Sequence, residues 1–456
     1  MNSGIMAWKQ LLSHRRLGKN TAGELIRGRS PFQQDYDRII FSSAFRRLQD
    51  KTQVFPLAES DYVRTRLTHS LEASCIGRSL GTLTGVHICQ AHDVGVIEPS
   101  DIGAIVAAAA LAHDIGNPPL GHSGEDAIRE WFRHSPTAAA LKSGFTAGQR
   151  ADIERYEGNA QGFRVLARLQ MPDNEGGMQL TCATLGAFVK YPVESTVKTR
   201  SDCFAKKFNF FQEDKALFAA VAADTGMREL STTPTVWARH PLAFLVEAAD
   251  GICYTIIDFE DGHSLGIIPY PDVEQAFMAI IGNEYCRERV AGMRENQRKV
   301  EFLRAMALNT LVGQLGESFV QHETEILRGE LLQSLTDLIP AAAALKEIKD
   351  RSVNDVYTYR RAVEIEVAGY ELATGLLDVF VGSVNDVAEH GTDGATGYHR
   401  KICRLLPEKF RPADDPDWRS DAYRRLLGIL DFICGMTDSY AVNLYKKIKG
   451  ISLPGQ

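Results

Sequence analysis

LAHDIGNPPLGHSGEDA, residues Leu111–Ala127, carries two histidines, three acidic residues and a double proline directly after the apolar run Ile105–Ala110. An uninterrupted apolar stretch of helical length reads as a buried helix, here Asp101–His113, and the polar dipeptide His113-Asp114 stands where it ends. Successive helical residues point about 100° apart, so the two side chains cannot share a face, but both can reach an ion beyond the helix end. A neutral imidazole beside a carboxylate suits Mn, Fe, Co, Ni or Zn. The dipeptide alone is common by chance, and a capping histidine followed by a turn aspartate accounts for it equally.

Two distant positions change that balance. His69 opens a helix in RTRLTHSLE, and Asp250 lies within PLAFLVEAADGICYTIIDFED, an otherwise apolar helix. A carboxylate buried in such a helix is costly without a partner, and an ion held by His69, His113 and Asp114 would be that partner. The prolines of NPPLG force a turn between Asp114 and His122. His122 and Glu125, three apart, then share one side of a helix's first turn. Glu125 also has a plainer reading, as an acidic residue favoured at a helix N-terminus. Asp250, Tyr254 and Asp258 follow at i, i+4 and i+8, and are expected to form one stripe along their helix.

Helical periodicity dominates the rest of the chain. Helices are expected at Ser70–Leu83, Gly124–Phe132, Gly158–Leu169, Gln179–Phe188, Pro241–Phe259, Asp272–Ile280, Val300–Ile326 and Val363–Val379. Thr52–Phe55 and Tyr62–Arg66 could pair as one short β-hairpin. Gly, Pro and charge content mark loops at Arg133–Ala151, Tyr191–Asp214, Asp261–Pro271 and Glu389–Asp417. The fold class is therefore all-α, with a core over residues 1–265 and a helical C-terminal region, 266–456, packed on it.

Composition sets the outer bounds. The chain has 456 residues, 44% hydrophobic and 24% charged, as in an ordinary globular protein. A net charge of −7 argues against a surface coated for duplex DNA, although FRRLQDK, VRTRL and AKKF are local basic clusters. No h-region is seen at the N-terminus, and no apolar stretch approaches bilayer length, so a cytoplasmic protein without a membrane partner is expected. The eight cysteines are scattered without a CxxC pair, and read as buried thiols rather than disulfides or zinc ligands.

The longer phrases RRLQDKTQVFPL, RTRLTHSLE, HDIGNPPLGHSGEDAI, EGNAQGFRVL, HPLAFLVEAADGICYTIIDFEDG and GMTDSYAVNLY resemble the bacterial dGTP triphosphohydrolases, members of the HD-domain metal-dependent phosphohydrolases. The resemblance runs from about Arg46 to Tyr445. It implies a divalent ion, Mn or Mg foremost, held by His69, His113, Asp114 and Asp250, with His122 and Glu125 as the catalytic pair and Asp250 serving both sets. It implies that Gln53, Tyr254 and Asp258 meet the sugar, and that Asn159, Lys190, Tyr191 and Lys207 hold the triphosphate. On periodicity alone Tyr254 reads as a half-buried core tyrosine, and Lys206 competes with Lys207.

The implied reaction is hydrolysis of dGTP, or of dNTPs generally, at the α-phosphorus to deoxynucleoside and tripolyphosphate. The alternatives are another HD nucleotide phosphohydrolase or phosphodiesterase, and a nucleotide- or single-stranded-DNA-responsive binding protein. The resemblance further implies a homo-oligomer, commonly a hexamer, and leaves room for a single-stranded DNA or nucleotide effector. Asp438 and Tyr440 in GMTDSYA resemble a family segment near the nucleotide pocket, without a contact that the sequence itself supplies; Tyr359–Tyr370 also resembles the family, and reads equally as an oligomer or core helix and as a base-contacting segment.

Overall fold

Gly77, Gly81 and Gly85 recur every four residues along the Arg66–Ala91 helix and let the Pro99–Ala112 helix lie directly against it. A Cβ at Gly81 would stand 2.9 Å from the Cα of Gly103. Gly77 faces Val106 and Ala110 while Gly85 faces Pro99, so the two helices run antiparallel. That direction brings His69, at the start of one, beside His113, at the end of the other. The Pro99–Ala112 helix begins on a Glu98/Asp101 capping box with proline in its first turn, and is buried almost throughout. It is the central helix of the molecule, and its lack of a polar face follows from burial on every side.

The computed structural model describes residues 4–20, 28–53, 64–197, 206–282, 284–413 and 415–452. The architecture is mainly α. Besides the central pair, the long helices are Pro241–Ser264, Asn296–Gln321 and Arg360–Gly394. One core cluster runs from Met6 to Ala441 through both the N- and C-terminal portions. The expected boundary after residue 265 falls just past the end of the Pro241–Ser264 helix.

Several expectations are corrected. Among the described residues the paired strands are Glu229–Thr232 and Thr235–Trp237, where Thr and Val suit an extended backbone. The hairpin expected at 52–66 lies mostly outside the described residues. Its ends make a single bridge, Thr52 to Thr65, and Arg66 is already helical. The stretch read as a loop at 133–151 holds two helices, Pro136–Lys142 and Ala147–Glu154, capped by Ser135 and Thr146. In the 389–417 stretch the long helix continues to Gly394 with a break at Gly391, and Gly397–Leu405 follows. The Pro241 helix runs past Asp261 to Ser264.

Val363–Gly394 is long and apolar enough, by length and composition, to cross a bilayer, contrary to the sequence reading. Half of its most apolar window is buried inside the protein. Its inner face carries Leu376, Phe380 and Val384, Phe380 packs edge-on against Phe432, and Asp378 accepts a hydrogen bond from the Trp131 indole. These are the contacts of a helix serving the protein core.

Candidate active site

The central helix pair delivers three buried donors, His69, His113 and Asp114, whose ligand atoms all lie within 4.8 Å of one another. The His113 Nδ1 faces the Ala110 carbonyl at 2.7 Å, which leaves Nε2 for the site. Asp250 arrives from the Pro241–Ser264 helix, with Oδ1 3.2 Å from His69 Nε2 and 3.3 Å from His113 Nε2. Lys190 Nζ donates to the other Asp250 oxygen at 2.6 Å. Arg66 Nη1 donates to Asp114 Oδ2 at 2.8 Å, and Asn117 donates to Asp114 Oδ1 at 2.6 Å.

Burial pushes the Asp114 carboxyl up, but Arg66, His113 and His69 outweigh it and hold the group below the usual carboxylate range. At Asp250 burial is likewise outweighed, by Lys190 and His113 first. Burial lowers the His113 imidazole, yet Asp114 and Asp250 raise it on balance. Two imidazoles and two ionised carboxylates converging in this way suit a divalent first-row ion.

The turn after Asp114 is tight. Leu120 and Gly121 both take left-handed backbone, with φ of 61° and 59°. The Gly121 φ is one that L side chains rarely adopt, and a Cβ there would also push the Arg66 guanidinium aside, so glycine is favoured. Gly121→Ala is therefore expected to lower stability by about 1–3 kcal/mol and to displace Arg66, read as a fall in melting temperature. The chain re-enters a helix at His122. Glu125 Oε2 bonds His122 Nδ1 at 2.8 Å, and its Oε1 accepts the Gly158 N–H at 2.6 Å. Burial raises the Glu125 carboxyl, but the His122 hydrogen bond, Lys207 and Arg129 bring it down to about 2. Glu125 is buried, whereas the His122 side chain is 77% exposed, held on one side and open on the other.

A cavity of about 380 Å³ joins these groups. Its walls include Gln53, Asn159, Lys190, Tyr191, Lys207 and Tyr254 together with His69, His113, Asp114, Asp250, His122 and Glu125. Lys207, not Lys206, reaches it, with Nζ 3.0 Å from Glu157. Asp258 is the exception among the residues singled out from sequence. It does not line the cavity; it is buried and accepts a 2.7 Å hydrogen bond from the Tyr357 hydroxyl, and burial pushes its carboxyl up to about 7. Eight residues make about 2.2 helical turns, which rotates Asp258 roughly 80° away from Asp250.

Arg66, Asn117 and Lys349 also line the cavity and were not singled out from sequence. Arg66 precedes His69 by one helical turn within the basic VRTRL cluster, which was its available signal. A second cavity of about 310 Å³ shares Gln53, Arg66, His122 and Tyr254, and adds Leu120, Tyr357, Ile365 and Glu366. Tyr254 and Tyr357 stack there with ring centroids 6.0 Å apart. Gln53 Oε1 and Arg66 Nε are buried without a hydrogen-bond partner, and both residues belong to both cavities.

A helical scaffold thus buries a His–Asp donor cluster able to hold a metal ion beside a His–Glu pair, in a cavity walled by lysines and tyrosines. The chain is 43% identical over 457 residues to a deoxyguanosinetriphosphate triphosphohydrolase-like protein of Synechocystis sp., covering 98% of this chain and 100% of that one. It is 40% identical over 453 residues to a protein of the same description from Pseudomonas aeruginosa, with the same coverage. Identity is 28% over 500 residues, and 95% and 96% of the two chains, to a deoxyguanosinetriphosphate triphosphohydrolase of Salmonella arizonae. No protein-family model matches the chain. The chain belongs to the deoxyguanosinetriphosphate triphosphohydrolase-like family, and it is an enzyme of that hydrolase type.

Proposed function

We propose that this enzyme hydrolyses dGTP, or deoxynucleoside triphosphates more broadly, to the deoxynucleoside and inorganic tripolyphosphate, in the cytoplasm. The observation that carries the reading is the single cavity shared by the His69, His113, Asp114 and Asp250 cluster, the His122–Glu125 pair and the cationic wall. Those four side chains would hold a divalent cation, Mn or Mg foremost. When bound, such an ion neutralises phosphate charge and polarises a phosphoryl oxygen.

The remaining work falls to the chain itself. Lys207, Lys190 and Arg66 carry positive charge toward the triphosphate, and Asn159 and Tyr191 add polar wall beside it. Water bonds to the α-phosphorus while the phosphorus–O5′ bond breaks, and the nucleoside leaves with a proton on O5′. His122 moves protons at that oxygen or at the attacking water, and Glu125 fixes its ring through Nδ1. Tyr254 packs where a 2′-hydroxyl would project, and Gln53 offers its unpaired oxygen to a sugar hydroxyl. Asp258 holds the Tyr357 hydroxyl, and Tyr357 stacks on Tyr254 beside the sugar position.

The test incubates the enzyme with each of the four dNTPs and GTP, with Mn or Mg, and resolves the inorganic products. Tripolyphosphate is expected. Orthophosphate or pyrophosphate as the first product would assign a different phosphohydrolase reaction. In the same assay Tyr254→Ala should cut the preference for dGTP over GTP by roughly 10-fold, since it removes the steric contact that rejects the extra hydroxyl. Equal discrimination in both proteins would leave Tyr254 no part in reading the sugar.

A further inference from the structure

Asp438 is almost fully buried at the start of the Asp438–Ile448 helix, 318 and 386 residues in sequence from the partners its carboxylate holds. Its Oδ1 accepts the Leu120 N–H at 2.9 Å. Its Oδ2 accepts the Thr52 N–H at 2.9 Å and the Thr52 hydroxyl at 2.7 Å. Leu120 is the non-glycine residue held at φ 61°, two positions before His122, and Thr52 immediately precedes Gln53. One carboxylate therefore ties together the two backbone segments that carry a proton-moving group and a sugar-facing group.

The neighbouring bonds act in the same sense. Ser439 Oγ donates to Asp50 at 2.9 Å, and Lys51 Nζ donates to the carbonyls of Asn117 and Cys434. A left-handed leucine costs on the order of 1–2 kcal/mol, and such strain persists only where its surroundings enforce it. Burying a carboxylate is also costly unless its oxygens are satisfied, and here they are satisfied by these two segments.

We infer that Asp438 is a positioning residue for the proposed hydrolysis: it locks the Leu120–Gly121 turn and the Thr52–Gln53 segment in register, and so fixes where His122 and Gln53 stand. The inference rests on the reading of His122 given above. It also assigns the C-terminal region a part in building the cavity rather than only in covering it.

The test compares Asp438→Asn, His122→Ala and the double variant. An amide keeps the shape but presents N–H to an N–H donor on one side, so one arm of the clamp is lost. A displacement of about 1 Å at a reacting group costs on the order of 10²-fold, so Asp438→Asn should lower kcat by that order while metal content stays at the wild-type level. The double variant should be no slower than His122→Ala alone within about twofold, because residues acting through one group are not additive. Losses that multiply, or an unchanged kcat in Asp438→Asn, overturn the inference. Amide hydrogen exchange reads the clamp without turnover. Slow exchange at Leu120 and Thr52 in the wild-type enzyme, accelerated in Asp438→Asn, supports it; fast wild-type exchange at both amides overturns it, whether or not dGTP is the substrate.

Discussion

Asp114→Ala is expected to lower kcat by about 10³-fold or more and to remove the bound metal, since metal-based charge stabilisation is worth several kcal/mol. Asp114 stands between the imidazoles of the cluster and two donors, Arg66 and Asn117, that fix both of its oxygens. Its removal takes away one anionic donor and strands the Arg66 guanidinium, whose side chain is only 6% exposed. Breaking a buried pair by deleting one partner costs about 3–5 kcal/mol, so the alanine variant should also melt at lower temperature. Asp114→Asn separates the two effects. It keeps the volume and an oxygen for Arg66 but removes the negative charge and turns an N–H toward Asn117, so it should lose less stability than the alanine variant while metal content and turnover both fall. Metal analysis of the purified protein and kcat measured with Mn are the readouts. A variant that keeps stoichiometric metal and near-normal turnover would remove Asp114 from the ligand set.

The cluster was legible in the sequence because its members are expensive where they stand. An aspartate inside PLAFLVEAAD and a His-Asp pair at the end of an alanine-rich helix need partners, and charge and apolarity alone make that argument. The turn was legible because Pro118 and Pro119 cannot continue a helix. What the sequence could not show is how the glycines at 77, 81 and 85 set two helices together and bring His69 next to His113, since that depends on two surfaces meeting.

Asp258 shows a limit of periodicity. Placed on the stripe of Asp250 by counting in fours, it is rotated around the helix and bonds Tyr357, which lines the adjoining cavity. Asp438 shows another. Its partners lie 318 and 386 residues away, and no local pattern announces a contact of that range. The short helices after Ser135 and Thr146 were different: both carry a readable N-cap, which the Gly and charge content of the stretch outweighed in the reading.

His122→Ala should leave the metal and the fold in place and lower kcat by about 10²–10⁴-fold, the range for loss of a positioned acid–base group. The side chain is mostly exposed and its one described protein bond is to Glu125, so truncation opens little space in the core. Glu125→Gln tests the other half of the pair. It retains an oxygen for the Gly158 N–H but withdraws the negative charge beside the His122 ring, and a loss smaller than that of His122→Ala is expected. The pH dependence follows from the sign of the Glu125 shift. Its carboxyl falls from an ordinary 4.5 to about 2, so the folded state favours the ionised form. The stabilisation this brings is complete above about 4.5 and is lost as pH falls from there toward 2. Any acid limb in the rate profile between about pH 5 and 7 therefore belongs to a group other than Glu125. The pH profiles of kcat for wild type and Glu125→Gln decide the matter: if the wild-type limb in this range is the titration of Glu125 itself, it vanishes in the glutamine variant, and the assignment of a permanently ionised orienting carboxylate fails.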